Sequence, residues 1–523
     1  MTAGVRLHDA LEFHARLRPG RVALRDGRRS WIYAELDRQA NRVAGLLAAS
    51  GVGRGDRFAV LSANCLEYYA WYFGAAKAGA VVVPLNPRLA PPEWAHILDD
   101  SAARLLIARG PLVPAAAGIG RDLQGGADRL ALGADVPPGW DDLAERLDDA
   151  GPRPEIDPPP SGSEPVVQMY TSGTTGRPKG AVLSHGALTA SILQSSTANH
   201  DGLEGCAHIV APLAHIGAAL TSMLNLAAGG SVYVQEDFDM DEVVRILDEE
   251  GVNRTMLVPA MIQALLVFVP DIADRSFDDL EQIGYGASPI APDVLRRAIE
   301  VFGCEFTQGY GCTESCGGIT LLGPADHRRA LEDRPDLLSS AGRPALGTEV
   351  RVVDDADQDL PPGEIGEILA RGPQLMTEYW RLPQATADAL RGGWLHTGDA
   401  GMFDEDGYLY VKDRVKDMIV SGGENVYPAE VEHVLIEHPS IADVAVIGVP
   451  DERWGEAVKA CVVATPDGVV DEAELLAFCR ARLAGFKTPK SVDVLDELPR
   501  NASMKVLKTE LRAPYWEGRD RMV

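Results

Sequence analysis

Apolar positions along the chain alternate between two spacings. Over 31–50, Leu36, Ala40, Val43 and Leu47 recur at helical spacing, and Gly51 offers a stop. The run Phe58-Ala-Val-Leu61 follows as a buried strand, then a helix over about 67–77 and a strand over 79–84. From His185 the pattern repeats: a helix, a strand at 207–211, a helix at 216–228, a strand at 232–235 and a helix at 241–250. Strands alternating with helices predict parallel sheets covered by helices, in two α/β layer systems.

Three stretches depart from that pattern. Residues 110–160 are rich in Gly, Pro, Ala and Asp and end in Asp157-Pro-Pro-Pro-Ser-Gly-Ser, which reads as irregular structure. Residues 342–370 alternate apolar and polar around Pro361-Pro-Gly, like a small antiparallel barrel or hairpin. Beyond Pro428 a helix at 429–437, strands at 441–449 and 457–464 and a helix at 471–483 form a separate small α+β unit. The fold class expected is α/β, with a large N-terminal domain of helix-covered sheets containing a small β-barrel-like part, followed by a small mobile α+β C-terminal domain. The boundary falls between 1–415 and 416–523.

Composition narrows the classes. In 523 residues, 46% hydrophobic and 24% charged content is ordinary for a globular protein with large cores. The net charge of −28, from 49 basic and 77 acidic residues, argues against an electrostatic nucleic-acid or anionic-membrane surface. Seven scattered cysteines without Cys-x-x-Cys sets read as reduced thiols, and no further Cys or His completes a ligand set around Cys312 and Cys316. The N-terminus lacks an apolar leader and no stretch reaches the length of a membrane span, so a soluble cytoplasmic protein is expected.

The chemistry concentrates in a few segments. Tyr170-Thr-Ser-Gly-Thr-Thr-Gly-Arg-Pro-Lys-Gly180 combines hydroxyls, glycines, Arg and Lys between two short strands. Thr171, Ser172, Gly173, Thr174, Thr175, Gly176 and Lys179 can wrap a phosphate with backbone N–H groups, hydroxyls and charge. Pro178 stands where a P-loop needs Gly, which sets P-loop NTPases aside. In Phe306-Thr-Gln-Gly-Tyr-Gly-Cys-Thr-Glu314, a strand ends on an aromatic ring between glycines, then a hydroxyl and a carboxylate. That suits Tyr310 stacking on a purine, Thr313 on a phosphate oxygen and Glu314 on Mg²⁺, with Gln308 and Gly311 in the same nucleotide segment. Asp399, directly after a Gly turn, suits two ribose hydroxyls. Gly422 and Gly423 free the backbone for close approach of a ligand.

Together these segments resemble the adenylate-forming superfamily: acyl-CoA synthetases, the adenylation domains of peptide synthetases and beetle luciferase. The resemblance spans nearly the whole chain in the family's order. It implies that His215, in Pro212-Leu-Ala-His, gates the acid pocket, and that Gly286, Ala287 and Ser288 let backbone approach adenine and acyl chain. It further implies Arg414 as a second ribose contact, Lys416 as an interdomain pivot and Lys505 as the catalytic lysine, with Met504 standing where the family has Gly. Thr175, Glu314, His215 and Lys505 are then the catalytic set, and Trp454 and Phe486 are weaker contacts for coenzyme A against a reading as core residues.

The implied reaction uses ATP, Mg²⁺ and coenzyme A: a hydrophobic carboxylic acid, fatty preferred over aryl, becomes acyl-AMP and then acyl-CoA. Small residues at Gly217, Ala218, Gly286, Ala287, Gly317 and Gly318 leave room for such an acid, with no conspicuous charged partner for an amino group. Loading of a carrier protein is the alternative within the family, and a non-catalytic nucleotide-binding regulator the one outside it; a homodimer is left open.

Overall fold

The computed structural model describes residues 4–119, 128–171, 178–197, 203–414, 417–421, 424–451, 453–466, 468–501 and 505–517. In the first of two large sheets, Ser231–Val234, Cys206–Ile209, Arg254–Met256, Gln282–Gly286 and Glu305–Cys312 run parallel as neighbours. Gly317–Leu322 returns antiparallel along the last of these. The helices Ile216–Ala227, Met240–Glu249, Pro259–Phe268 and Pro292–Phe302 connect them, each a crossover of the kind a parallel pair requires.

The second sheet centres on Val81–Leu85, Arg57–Leu61 and Leu106–Arg109, all parallel, and carries at one side the hairpin Pro165–Thr171 and Lys179–Ser184. Helices Tyr33–Ala49 and Glu67–Ala78 pack between the two sheets in one shared core. Leu36, Ala40, Val43 and Leu47 are all buried there, as the helical spacing requires. A Cβ on Gly74 would lie 2.4 Å from a Val43 methyl, so glycine sets how closely the two helices approach.

The described residues within 110–160 are less irregular than their composition suggests. Arg129–Leu132 and Asp141–Asp142 extend the second sheet, and Leu112–Ala117 and Leu143–Asp148 are short helices. Leu130 and Ala131 are fully buried, and two such residues suffice to pair a strand with a sheet already in place.

The small barrel-like part is a four-stranded antiparallel sheet of Glu349–Val353, Gly366–Arg371, Leu395–Phe403 and Leu409–Arg414. In the C-terminal part, the strands Ile441–Asp451 and Gly455–Ala464 pair over their full length, flanked by helices Pro428–Ile436 and Glu472–Arg480. The parallel strand Ser491–Leu495 and the helix Lys508–Trp516 complete it and are not apparent in the apolar spacing. It joins the large part through polar contacts to Asp413: Ala429 N–H donates to Asp413 Oδ2 at 3.0 Å, and Lys508 Nζ, which pairs with Glu432 of its own part at 2.8 Å, lies 3.9 Å from Asp413. Among the described residues no helix is long and apolar enough to cross a membrane.

Candidate active site

A cavity of about 270 Å³ opens at the C-terminal ends of the parallel strands Arg254–Met256, Gln282–Gly286 and Glu305–Cys312, where ligands gather in open α/β sheets. Glycine makes the space. Gly284, Gly286, Gly309 and Gly311 all line the cavity, and helix Ile216–Ala227 closes the opposite wall with Gly217 and Ala218. Two of the four strand glycines are locked by packing, since a Cβ on Gly286 would meet Gly309 O at 2.3 Å and one on Gly311 would meet Gly317 O at 1.8 Å. At Gly284 and Gly309 the nearest atom would be 3.7 Å away. The turn after Gly286 holds Ala287 at φ +69°, an unfavourable left-handed conformation for a residue with a Cβ.

His215 lies at the start of that helix and on the cavity wall, with its Nε2 2.8 Å from the Asn86 side-chain nitrogen. Asn86 comes from the end of the central strand of the other sheet, a link between distant segments that no local spacing signals.

Beside the reacting end of the cavity, residues from four segments converge. Tyr310 O–H donates to Asp399 Oδ2 at 2.7 Å, and Arg414 Nε lies 2.8 Å from Asp399 Oδ1. Strand register causes the second contact, because Asp399 and Arg414 stand opposite each other in the antiparallel pair. Burial pushes the Asp399 carboxyl above the ordinary aspartate range, with Arg414 pulling it back. Lys505 lines the same cavity, held by its own N–H donating to Asn501 Oδ1 at 2.9 Å and by its carbonyl accepting from Asn501 N–H at 2.7 Å. Burial, then the nearby Arg414, pulls its ammonium below the ordinary lysine value.

Glu314 follows directly. Its Oε1 accepts from Tyr379 O–H at 2.7 Å and from Thr171 Oγ1 at 3.4 Å, and among the described residues no Lys or Arg ion-pairs with it. Lys179 Nζ sits 4.9 Å from the centre of the Tyr379 ring, and Thr171 and Lys179 face each other across the hairpin. Tyr379 thus ties the hairpin to Glu314, a role its surroundings in the sequence, Thr-Glu-Tyr-Trp, do not signal.

The structure therefore brings together Lys505, Thr313, Gly311, Gly286, Ala287 and His215 on one cavity, with Tyr310, Asp399, Arg414, Glu314, Thr171 and Lys179 linked through the contacts above. Ser288 is half-buried just past the turn, and Gln308 Oε1 is buried with no hydrogen-bond partner among the described residues. Ser172, Gly173, Thr174, Thr175, Gly176, Lys416, Gly422, Gly423 and Met504 lie outside the described residues. Trp454 and Phe486 are not core residues: they are 39% and 37% exposed, beneath Arg453 and Lys487 respectively. The cavity also holds a buried cation unnoticed in the sequence, Arg254, away from Lys505.

Residues 11–380 match the AMP-binding enzyme family and residues 430–505 the AMP-binding enzyme C-terminal domain. The chain is 40% identical to a fatty acid–[acyl-carrier-protein] ligase of Streptomyces coeruleorubidus, over 98% of this chain and 96% of that one. It is 41% identical to a feruloyl-CoA synthase of Amycolatopsis sp., over 96% and 97%. Among solved structures, the o-succinylbenzoate CoA synthetase of Bacillus subtilis in complex with its acyl-adenylate intermediate matches with a TM-score of 0.84 at 32% identity, covering 96% of this chain and 97% of that one. The chain belongs to the AMP-binding enzyme family, and within it to the adenylate-forming acyl- and aryl-CoA ligases.

Proposed function

We propose that this protein is a cytoplasmic, ATP-dependent acyl-CoA synthetase that converts a hydrophobic carboxylic acid, fatty before aryl, to acyl-AMP and pyrophosphate, then to acyl-CoA and AMP. The observation that carries the reading is Lys505: a lysine from the C-terminal part lines an apolar cavity of the N-terminal part, beside the Asp399–Arg414 pair. A buried ammonium there suits the meeting of two anions, an acid carboxylate and the α-phosphate of ATP. The enzyme then needs no nucleophile of its own; it aligns the anions and offsets their repulsion.

The remaining residues take the roles that membership of the family implies. Residues 171–179 hold the leaving pyrophosphate, with Thr175 and Lys179 on its oxygens and Thr313 on the α-phosphate. Gly286, Ala287 and Ser288 admit the adenine edge and acyl chain, Tyr310 stacks on the purine, and Asp399 and Arg414 take the ribose hydroxyls. The unmet acceptor at Gln308 suits the adenine amino group. Glu314 fits Mg²⁺, because it is an oxygen ligand with no Lys or Arg ion pair among the described residues. Bound there, Mg²⁺ supplies charge neutralisation to the phosphates. His215 gates the acid against water.

For the second half-reaction Lys505 has no task, and rotation of 416–523 about Lys416 brings Gly422 and Gly423 to the thiol. The exposed Trp454 and Phe486 remain available to coenzyme A on that unit. Seven free cysteines support a reducing compartment. A second reading, loading of a carrier protein in place of coenzyme A, draws support from the carrier-protein ligase at 40% identity.

The deciding experiment detects products by mass from ATP, Mg²⁺ and a panel of fatty and aromatic acids, with and without coenzyme A. Thioester formed only with coenzyme A supports the ligase; adenylate accumulating without thioester supports carrier loading; ATP bound with no product refutes both.

A further inference from the structure

The cavity is a slot running along the strands, with different chemistry at its two ends. Alternate residues share one face of a strand, so Gly311, Gly309 and Thr307 line it from one strand, Gly286, Gly284 and Gln282 from the next, and Met256 and Arg254 from the third. From Gly311 to Thr307 the strand advances about 13 Å. On the opposite wall Gly217, Thr221, Leu224 and Asn225 follow one face of helix Ile216–Ala227, and Gly217 to Asn225 spans about 12 Å. The two walls agree on the length of the slot.

The reacting end holds Lys505, Thr313 and His215, and the middle is Gly, Leu220, Leu224 and Met256. The far end is polar and cationic. Arg254, Gln282 and Thr307 are all buried there, on three adjacent strands, and they form a chain: the Arg254 guanidinium donates to Gln282 Oε1, and Gln282 Nε2 donates to Thr307 Oγ1. A guanidinium offers five N–H donors, accepts nothing and keeps its charge when buried. A slot meant for a hydrocarbon tail would be served at its floor by Leu or Met, since burying a cation beside a methyl terminus costs free energy.

We propose that the acid accepted here carries an acceptor oxygen at the end remote from the reacting carboxylate, best supplied by a second carboxylate, and that Arg254, with Gln282 and Thr307, recognises it. This assignment rests on the ligase reading above. Charge-assisted, forked hydrogen bonding suits a guanidinium to a carboxylate better than to a neutral hydroxyl. Because Arg254, Gln282 and Thr307 already bond one another, an unsubstituted acid still binds, and the discrimination is about tenfold to about a hundredfold rather than the far larger factors of a site left wholly unpaired.

The test measures kcat/KM for thioester formation by the full chain with alkanoic, ω-hydroxy and α,ω-dicarboxylic acids of equal length. The dicarboxylic acid is expected to exceed the alkanoic acid by about tenfold or more, with the hydroxy acid between them. In Arg254→Met the ratio of dicarboxylic to alkanoic acid falls to near one, and in Thr307→Val it falls part of the way. An alkanoic acid used as well as the dicarboxylic acid by the unmodified enzyme overturns the proposal, as does a ratio unchanged in Arg254→Met. A preference for the hydroxy acid alone overturns the carboxylate assignment. If Arg254→Met does not fold, the unmodified enzyme and Thr307→Val decide. Alkanoic acids converted without preference refute only this recognition, whereas no adenylate or thioester from any acid refutes the ligase reading with it.

Discussion

Replacing Lys505 with Ala separates the two halves of the reaction. In the cavity its ammonium sits beside Asp399 and Arg414, and burial already lowers its pKa, which marks a site poorly served by water. An ammonium about 4 Å from a developing anion, at an effective dielectric constant of about 20, attracts it by about 4 kcal/mol. Arg414 remains in the variant and recovers part of that, leaving a loss of about 3 kcal/mol. The expected decrease in adenylation is then about 100- to 200-fold. Acid-dependent exchange of pyrophosphate into ATP reads this step, and thioester formation from preformed acyl-adenylate and coenzyme A reads the second, which should change by less than about threefold. The pH profile adds a check, because the ammonium acts only when protonated. Exchange should fall as pH rises through a pKa below the ordinary lysine value of 10.5, and Lys505→Arg should remove that limb. Equal losses in both half-reactions, or unchanged exchange, refute the role assigned to Lys505.

Asp399→Asn leaves Arg414 without its counter-charge and weakens both proposed ribose contacts, so the KM for ATP should rise about tenfold or more while the KM for the acid moves little, in steady-state kinetics with each substrate varied. Gly311→Ala places a methyl 1.8 Å from Gly317 O and should lower both Tm and adenylation, whereas Gly309→Ala, with its nearest atom at 3.7 Å, should keep Tm. His185 and His208 are buried and held neutral, each with a pKa lowered to about 4 by burial. The folded state thus resists a proton that the unfolded chain accepts near pH 6.5, so stability present above that pH is lost as pH falls towards 4, by about 1.4 kcal/mol per pH unit for each histidine. Urea midpoints measured between pH 7 and 5 should fall, and His208→Gln should flatten the slope.

Much of the fold is legible in the chain because long apolar spacings dominate it. Leu36 to Leu47, the strand at 57–61 and the strand pair 441–451 and 455–464 each bury a face fixed by local pattern. Leu130 and Ala131 escape notice because a two-residue apolar step among Gly and Pro carries no period, and the sheet edge that accepts it lies elsewhere in sequence. For the site, loops dense in Gly, Thr and Lys identify themselves, as do Tyr310 and Asp399. Tyr379, Asn86 and Arg254 do not, because each acquires its meaning only from a neighbour brought in by the fold: Glu314, His215 and Gln282 respectively. Arg254 in particular sits in Gly-Val-Asn-Arg-Thr, which reads as a solvated strand entry rather than the floor of a slot. Trp454 and Phe486 show the converse, large rings suggesting a core and standing instead at the surface.

The unequal freedom of the four strand glycines gives the slot an adjustable ruler. Gly286 and Gly311, nearest the reacting groups, are fixed by the backbones they touch, so the chemistry tolerates no drift there. Gly284 and Gly309 have room for a methyl, and each methyl would subtract from the depth available to the acid without moving a strand. A lineage can therefore retune which acids fit one carbon at a time while the adenylating geometry stays in place, and a designer can do the same with two alanines.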